Sequence, residues 1–485
     1  MPARKLFAAV LIGIVLRFAL GLHPVGWLVW FAPMPLLVLA FRSTARQAAG
    51  FTALAVLIGL STSFHYYQKM MPLFAAVSVL VAQSLLWVFI VGATRRAVLR
   101  YQRWWTVFAY PVLWVAMDTL AAHLLPDGNW GSLAYTQADY LPILQITSLF
   151  GVAGLLFILT LVPSVLAVAV DFGHNMPQAW RAYAATAVLL AASLGYGELR
   201  LRAPVTGRAT AFGLVAIDDA IGPKATPAYI ARIWQSYDQQ IATLVSQGAE
   251  VIVLPEKIGM ISPEMASQWQ QHLSALAARL HVWIEAGVGV DDGTKRVNLA
   301  WLYTPEGVLS VDYQKHHMAP PEREYVVGKA YDVREISGSA YGIAICKDMH
   351  FASLGRAYGE RKVSAMLVPA WDFYDDRWLA ARMTLTRGVE NGYSVIRASR
   401  DGLLTVSDPY GRVLAERDSG ALPGAAMLVR ANVSAPVSTL YTRIGDLFGW
   451  LSVAAAALLL ASGRLGLQNR PLASRSIIEK RDVSR

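Results

Sequence analysis

Apolar runs long enough to cross a membrane fill most of the first 200 residues and recur once near the C-terminus. A bilayer core requires roughly 20 mostly apolar residues per helix. The predicted spans are Leu6–Gly21, Val25–Phe41, Phe51–Tyr67, Pro72–Gly92, Thr106–Leu124, Ile146–Val170, Ala182–Gly197 and Gly445–Ala461. The pattern therefore predicts a polytopic α-helical membrane bundle of about eight spans, since a helix satisfies its own backbone hydrogen bonds in lipid.

A long polar segment separates the last apolar run from the others. Only 16% of the 485 residues are charged, whereas soluble domains average about 25%. The first run follows Arg4 and Lys5, as in a signal peptide, but Arg17 interrupts it and no cleavage site follows, so we expect it to remain as a span. The predicted regions are a bundle of about seven helices at 1–197, a soluble domain at 198–443, a final transmembrane helix at 444–463 and a basic tail at 464–485.

The positive charges of the short loops predict the orientation, because Lys and Arg are retained on the cytoplasmic side. If the N-terminus is inside, Lys69 is nearly alone in the outside loops. The inside loops then hold Arg4, Lys5, Arg42, Arg46, Arg95, Arg96, Arg100, Arg103 and Arg181. Residues 198–443 are therefore expected outside and both termini inside. Because topology accounts for most of the net charge of +10, and no concentrated basic face is evident, we expect no nucleic-acid partner.

The soluble segment alternates short β-branched runs with amphipathic stretches, which predicts a single α/β domain. Functional groups in such sheets commonly lie where strands end. Glu256, Cys346 and Trp371 each end an apolar run, and Lys315 begins a polar, proline-bent loop. We therefore expect these side chains to approach one another.

A glutamate, a lysine and a cysteine together can perform acyl transfer or amide hydrolysis through a thioester. A thiol becomes a nucleophile only as thiolate, so it needs a base, here Glu256, and a positive group, here Lys315. The ammonium of Lys315 can also stabilise the oxyanion. Although a lone cysteine after a strand is more often inert, an unpaired thiol outside the cytoplasm is exposed to oxidation. Retention of Cys346 as the single cysteine therefore indicates a use.

These residues resemble the Glu-Lys-Cys triad of the nitrilase superfamily, and the membrane setting resembles its apolipoprotein N-acyltransferase branch. The similar segments are Trp114–Asp118, Gly128–Gln137, Ile146–Gly151, Leu254–Glu256, Tyr313–His317, Ile345–Asp348, Ala381–Met383 and Glu390–Gly392. The resemblance implies an α-β-β-α sandwich on the periplasmic side of the bacterial inner membrane. It also implies that Cys346 takes an acyl chain from a phospholipid and passes it to the α-amine of an apolipoprotein's diacylglyceryl-cysteine. Glu256 would then be the base, Lys315 would stabilise the oxyanion, and no cofactor would be needed.

Two positions depart from the pattern of that family. It places a further glutamate eight residues after the lysine, where this chain has Arg323 between Glu322 and Glu324. Either glutamate is a candidate support for the triad. The family also has Tyr-Glu after the nucleophile, where this chain has Lys347 and Asp348. Asp348 is thus a third candidate support, and Lys347 adds a second cation beside the thiol.

Three further side chains are candidates for substrate binding. Trp371 and Tyr374 belong to an aromatic cluster that could line an acyl entrance, with packing or membrane-interface anchoring as the alternative. His317 could position Lys315. Its neighbour His316 invites a metal interpretation, but adjacent histidines in a loop do not readily face one ion, so we expect no metal site.

Lipoprotein N-acylation is the leading functional prediction. A membrane-anchored amidase, or an acyltransferase with another amine acceptor, is the alternative that uses the same chemistry. A sandwich domain that binds ligands without turnover is a third class, and the complete set Glu256, Lys315 and Cys346 argues against it.

Overall fold

The computed structural model describes residues 2–465, except 174–175, 218, 223 and 434. Its N-terminal region is helical. The helices are α1 (Pro2–Ala19), α2 (Pro33–Phe41), α3 (Ala45–Leu60), α4 (Phe64–Met70), α5 (Leu73–Tyr101), α6 (Ala109–Leu124), α7 (Leu141–Leu144), α8 (Thr147–Phe172) and α9 (Ala179–Leu201). Most of the predicted tail lies outside the described residues.

Five helical stretches are long and apolar enough to cross a membrane in the part of the chain that the structure describes. They are Ala45–Met70, Leu73–Tyr101, Trp104–Leu124, Thr147–Phe172 and Ala179–Leu201. Shorter apolar stretches occur at Gly26–Phe41 and Leu447–Ser462. A helix also covers the first predicted span, but Arg4, Lys5 and Arg17 lie within it. Several apolar helices are therefore present, and the count of eight spans remains a prediction.

Two predicted spans are interrupted rather than continuous. The second begins as a 3₁₀ turn at Gly26–Trp30 and becomes an α-helix only at Pro33, because proline lacks the N–H that a helix interior would use. In the third, the 3₁₀ turn Ser61–Ser63 separates α3 from α4. The hydroxyl of Ser61 donates to the carbonyl of Ile58 there.

Helix α8 is the most buried of the five long stretches and connects the bundle to the second half of the chain. Its backbone leaves helical geometry at Gly151, with φ of 63°. The N–H of Val152 donates to Oε1 of Glu390 at 3.1 Å. A side chain at Gly151 would collide with the ring of Tyr441, which lies 2.5 Å from the ideal Cβ position. The kink therefore allows close contact with residues of the soluble segment.

Basic residues gather at the other end of α8. Arg42 pairs with Asp171 at 2.7 Å, and the guanidinium of Arg95 donates to the carbonyl of Ser43 at 2.7 Å. Between Val152 and Asp171, α8 rises about 29 Å, which matches the hydrocarbon thickness of a bilayer. The arginine-rich end and the end that contacts Glu390 are thus separated by about one membrane.

The second half of the chain forms two packed sheets. The first has the order β13-β1-β2-β4-β5-β6, with β3 paired to β4, and the second has the order β12-β11-β10-β9-β8-β7. The strands of the first sheet are β1 (Arg208–Ala216), β2 (Val251–Val253), β3 (Met260–Ile261), β4 (Trp283–Asp291), β5 (Arg296–Tyr303), β6 (Leu309–Gln314) and β13 (Ala425–Val433). Those of the second are β7 (Val333–Ile336), β8 (Ser339–Ile343), β9 (Ala365–Trp371), β10 (Ser394–Arg400), β11 (Leu403–Ser407) and β12 (Val413–Asp418).

Helices cover the outer faces of both sheets. The remaining helices are α10 (Pro227–Ser246), α11 (Pro263–Leu280), α12 (Ala352–Glu360), α13 (Arg377–Asn391), α14 (Leu440–Ile444) and α15 (Leu447–Leu465). Apolar side chains of α10 and α11 pack on the first sheet, and those of α12 pack on the second. A separate core of residues from both inner faces lies between the sheets. The architecture is therefore an α-β-β-α sandwich, and α13 also packs into the core of the helical bundle.

Candidate active site

The three residues predicted to act together lie at strand ends of the two facing sheets. Glu256 follows β2 and Lys315 follows β6 of the first sheet, while Cys346 follows β8 of the second. The Nζ atom of Lys315 lies 2.7 Å from Oε1 of Glu256, and all three side chains line one cavity. Each is at most 8% exposed, so the charges interact with little screening by water.

A buried network surrounds the lysine. The ammonium of Lys315 also lies 2.8 Å from Oε2 of Glu322, and Lys257 pairs with the other oxygen of that carboxylate. The amide of Asn298 donates to Oε1 of Glu256 at 2.6 Å and to Oε1 of Glu322 at 3.1 Å. Asn298 therefore fixes the two glutamates on either side of one ammonium.

Opposite charges control protonation in this network. Burial alone would lower the pKa of Lys315, but Glu256 and Glu322 raise it well above its ordinary value. Burial would raise the pKa of Glu322, yet Lys315 and Lys257 hold it at about 2. At neutral pH the network thus contains a charged ammonium beside a charged carboxylate.

The backbone presents Cys346 at a tight turn. Its φ is +44°, a left-handed conformation that is rare for a residue other than glycine and common at functional turns. The thiol lies 3.6 Å from the carbonyl oxygen of Trp371. Burial and the carboxylates of Glu256 and Asp372 raise the pKa of Cys346, against the opposing effect of Lys315. The resting thiol is therefore protonated and needs a base to become a nucleophile.

Asp348 stabilises the loop that carries the lysine rather than contacting the lysine itself. Its Oδ1 accepts the backbone N–H groups of His316 and His317 at 3.0 and 2.7 Å. Its Oδ2 accepts the hydroxyl of Tyr313 at 2.8 Å. This fully buried carboxylate thus joins the turn that bears Cys346 to the strand that leads to Lys315.

The cavity has a volume of about 820 Å³ and lies between the sandwich and the bundle. Helices α4 and α5 contribute Tyr66, Met70, Val79 and Ala82, among others, to its wall. The opposite wall carries Cys346 and its polar neighbours. The cavity thus has an apolar wall from the helical region that faces charged groups of the sandwich.

The side chains predicted to bind substrate have different positions. Trp371 lines the cavity and has the ammonium of Lys257 above its ring at 5.0 Å. Tyr374 is 46% exposed and stacks against the guanidinium of Arg377 at 3.9 Å. His317 stacks on Phe351, with ring centroids 3.8 Å apart. Tyr374 and His317 lie outside the wall of the cavity, and Glu324 is exposed.

Several cavity residues carry no recognisable signal in the sequence. Asp376 accepts a hydrogen bond from the hydroxyl of Tyr66 at 2.8 Å, and burial together with Asp372 raises its pKa to about 7. Burial and nearby cations such as Lys347 lower the pKa of His350 well below its ordinary value, so this imidazole is neutral. These positions depend on segments far apart in the chain. Asn298, a buried amide behind the cavity wall, lies near the polar start of β5, which is the one local signal for it.

Comparisons with known proteins agree with this arrangement. Residues 12–165 match the family model of the apolipoprotein N-acyltransferase N-terminal domain, and residues 220–428 match that of carbon-nitrogen hydrolase. Apolipoprotein N-acyltransferases of Geobacter metallireducens and Gloeobacter violaceus are each 27% identical, over 95% of this chain and 95% of theirs. An amidase structure from Nesterenkonia sp. is 19% identical, covers 47% of this chain and 93% of its own, and gives a TM-score of 0.41.

The fold and the site define a class of protein in which apolar helices, long enough to cross a membrane, are joined to a carbon-nitrogen hydrolase domain. That domain carries Glu256, Lys315 and Cys346. The match extends to the helical region as well, and to relatives of similar length. Along nearly its whole length the chain is similar to apolipoprotein N-acyltransferases, with a match to the N-terminal domain of that family and to carbon-nitrogen hydrolase.

Proposed function

We propose that this protein transfers an acyl chain from a membrane phospholipid, through a thioester on Cys346, to the α-amine of an apolipoprotein's N-terminal diacylglyceryl-cysteine. The observation that carries the proposal is the 2.7 Å contact between Lys315 and Glu256 in a cavity whose wall includes Cys346 and apolar residues of α4 and α5. A lipid ester suits a cavity with an apolar wall and charged groups, and the similarity to apolipoprotein N-acyltransferases supports the acceptor.

In the first half of the reaction, Glu256 removes the proton of the Cys346 thiol. We assign this transfer to Oε2, because Oε1 already accepts hydrogen bonds from Lys315 and Asn298. The thiolate attacks the ester carbonyl of the phospholipid. An ammonium has three N–H donors, and Lys315 uses two for Glu256 and Glu322, which leaves one for the oxyanion. Glu256 then returns the proton to the departing lysophospholipid oxygen.

In the second half, the α-amine of the apolipoprotein attacks the thioester. Glu256 takes the proton released by the attacking nitrogen, and the new tetrahedral oxyanion again faces Lys315. Collapse breaks the C–S bond, forms the amide and returns the proton to the Cys346 sulfur. One carboxyl group thus acts as base and acid in turn, which requires that Asn298 and Lys315 keep it oriented.

We further propose that the catalytic domain lies on the periplasmic side of the bacterial inner membrane, with about eight spans. Two features support this orientation. Arg42 and Arg95 belong to the end of the bundle remote from Glu390, and positive residues are retained on the cytoplasmic side. Exported apolipoproteins would then meet the site directly.

Mass spectrometry of lipoprotein N-termini tests the function. Cells that lack the family activity should accumulate lipoproteins with a free α-amine, and expression of this protein should restore the N-acyl group, whereas Cys346→Ala should not. Restoration by the Ala variant would contradict the thioester route. If wild-type protein restores nothing but releases ammonia from amides, the alternative of a membrane-anchored amidase is correct.

A further inference from the structure

One carboxylate of the helical region contacts two loops of the active site. Asp127 lies between α6 and the following 3₁₀ turn, and its side chain is 39% exposed. Its Oδ1 lies 2.6 Å from Nη2 of Arg323, and it also pairs with Lys347. Arg323 follows Glu322 directly, and Lys347 follows Cys346 directly. Asp127 therefore connects Lys347, the neighbour of Cys346, with Arg323, the neighbour of Glu322.

The ammonium of Lys347 is held by acceptors from two other segments of the chain. Its side chain is 8% exposed, and its ammonium donates to Asp127 and to the carbonyl of Met318 at 3.1 Å. Burial lowers the pKa of Lys347, whereas Asp127 raises it. Without Asp127 this nearly buried ammonium would lose its carboxylate and retain only a neutral acceptor, so it would reorient or release its proton.

A movement of Lys347 would affect the nucleophile, because the two residues share a peptide bond. Cys346 has its φ at +44°, and such a conformation persists only when its surroundings enforce it. The side chain of Asp348 fixes the turn from one direction, and Lys347 fixes it from the other. The pair with Asp127 is thus a further restraint on the turn that orients the sulfur.

The same bundle loop contacts the nucleophile turn at two further places. The ideal Cβ position of Gly128 lies 3.4 Å from the ring of Phe351. The rings of Trp130 and His350 have centroids 5.1 Å apart. These contacts align the loop against residues 346–351, so Asp127 is held at a defined distance from Lys347 and Arg323.

We propose that Asp127 is a positioning residue that orients Cys346 through Lys347 and Glu322 through Arg323, so that the membrane bundle completes the geometry of the triad. In its catalytic consequence this inference rests on the proposed acyl transfer. The orientation of the thiol can also be measured without any lipid substrate, by its rate of alkylation with iodoacetamide.

The test compares Asp127→Asn with Asp127→Glu in full-length protein. We expect Asp127→Asn to slow alkylation of Cys346 by about tenfold, and acyl-enzyme formation from phospholipid by a similar factor at saturating lipid. The KM for phospholipid should change by less than about threefold, because apolar side chains of the cavity wall come from α4 and α5 and not from Asp127. Asp127→Glu keeps a carboxylate that can pair with both Lys347 and Arg323, so its alkylation rate should stay within about threefold of wild type.

Asp375→Asn is the matched control. It removes an ion pair, Lys69 with Asp375 at 2.6 Å, that also joins the bundle to the catalytic domain but does not contact the nucleophile turn. This variant should alkylate at the wild-type rate. If Asp127→Asn does not fold, Lys347→Met supplies the same measurement, with the same expected loss.

Three results would overturn the inference: an alkylation rate of Asp127→Asn within twofold of wild type, an equal loss in the control, or an Asp127→Glu variant no faster than Asp127→Asn. Failure of the proposed function has another signature. In that case the wild type would not N-acylate lipoproteins, while the alkylation rates would still follow Asp127.

Discussion

The ammonium of Lys315 lies 2.8 Å from a carboxylate oxygen of Glu322. Glu324, two residues further along the chain, is exposed to solvent. A turn of three residues, Pro320–Glu322, directs the first glutamate inward, and its carboxylate also accepts the N–H of Ala319 at 3.2 Å. The two glutamates are chemically identical, but only the first is part of the network around the lysine.

The two positions should therefore respond differently to the same substitution. We expect Glu322→Gln to reduce acyl transfer by about 30- to 1000-fold, as for the loss of an oriented, charge-assisted hydrogen bond worth about 2–4 kcal/mol. Glu324→Gln should change the rate by less than about threefold, since exposed charges contribute little. Single-turnover measurement of the acyl-enzyme gives both numbers. Equal effects at the two positions would exclude Glu322 as the support of Lys315.

Replacement of the sulfur by oxygen should stop the reaction without unfolding the protein. Cys346→Ser leaves a hydroxyl that is far harder to deprotonate than a thiol, whose unperturbed pKa is about 8.5. Wild-type protein given phospholipid without an amine acceptor should accumulate an acyl adduct on Cys346 that hydroxylamine removes. Mass spectrometry of the peptide that contains this residue detects the adduct. A Ser variant with near-normal rates would refute the thioester mechanism.

The orientation in the membrane can be measured with reporter fusions. A reporter joined after Pro204, which follows α9, should behave as periplasmic, and one joined after Arg475 as cytoplasmic. The loop charges are the reason, since they favour the cytoplasmic side for the end of the bundle that carries Arg42 and Arg95. Cytoplasmic activity of the Pro204 fusion would invert the topology and remove access to exported acceptors.

A buried carboxyl group outside the active site should make stability depend on pH. Both oxygens of Glu285, on β4, lack a hydrogen-bond partner among the described residues, and burial raises the pKa of this group well above its ordinary value. The folded state therefore holds a proton that the unfolded chain releases. Stability should fall as pH rises from the ordinary glutamate pKa to the raised one, and should be constant below that window.

Glu285→Gln should remove this dependence. At pH 8 we expect the unfolding midpoint of this variant to exceed that of wild type, by roughly 2–4 °C for each kcal/mol of unfolding free energy that the substitution recovers. The difference should vanish near pH 4. The exposed Glu306 provides the control, because Glu306→Gln should follow the wild-type curve at every pH. Thermal unfolding in detergent is the measurement. A difference between Glu285→Gln and wild type that is the same at both pH values would point to packing instead.

The sequence predicts the position of a residue well where that position depends on the strand directly before it. An apolar run that ends in a reactive residue predicts a side chain at the edge of a sheet, as for Glu256 and Cys346, and Lys315 begins the polar loop after β6. The α-β-β-α architecture follows from the resemblance carried by those residues. The interruptions at Pro33 and Ser61 are not predicted, because the average hydropathy of a run does not show a change from α-helical to 3₁₀ geometry.

Contacts between distant segments could not be foreseen. Nothing local to Asp127 indicates that it meets Lys347, which is 220 residues away, and Lys347 was interpreted as a cation beside the thiol. Tyr374 is predicted as part of an aromatic cluster and His317 as a residue that could position Lys315, and the direction of each side chain depends on the turn that carries it. The sequence does not distinguish Glu322 from Glu324 for the same reason, since the turn Pro320–Glu322 decides which of them faces the lysine.

The kink at Gly151 bears on how the protein is made. The Val152 amide released there is satisfied by Glu390, and Tyr441 covers the glycine, yet the ribosome synthesises both partners more than 200 residues after Val152. Until then the amide of Val152 lacks the acceptor that it has in the folded protein. The kinked geometry of α8 can therefore be completed only after the α/β domain has been synthesised and has folded against the bundle.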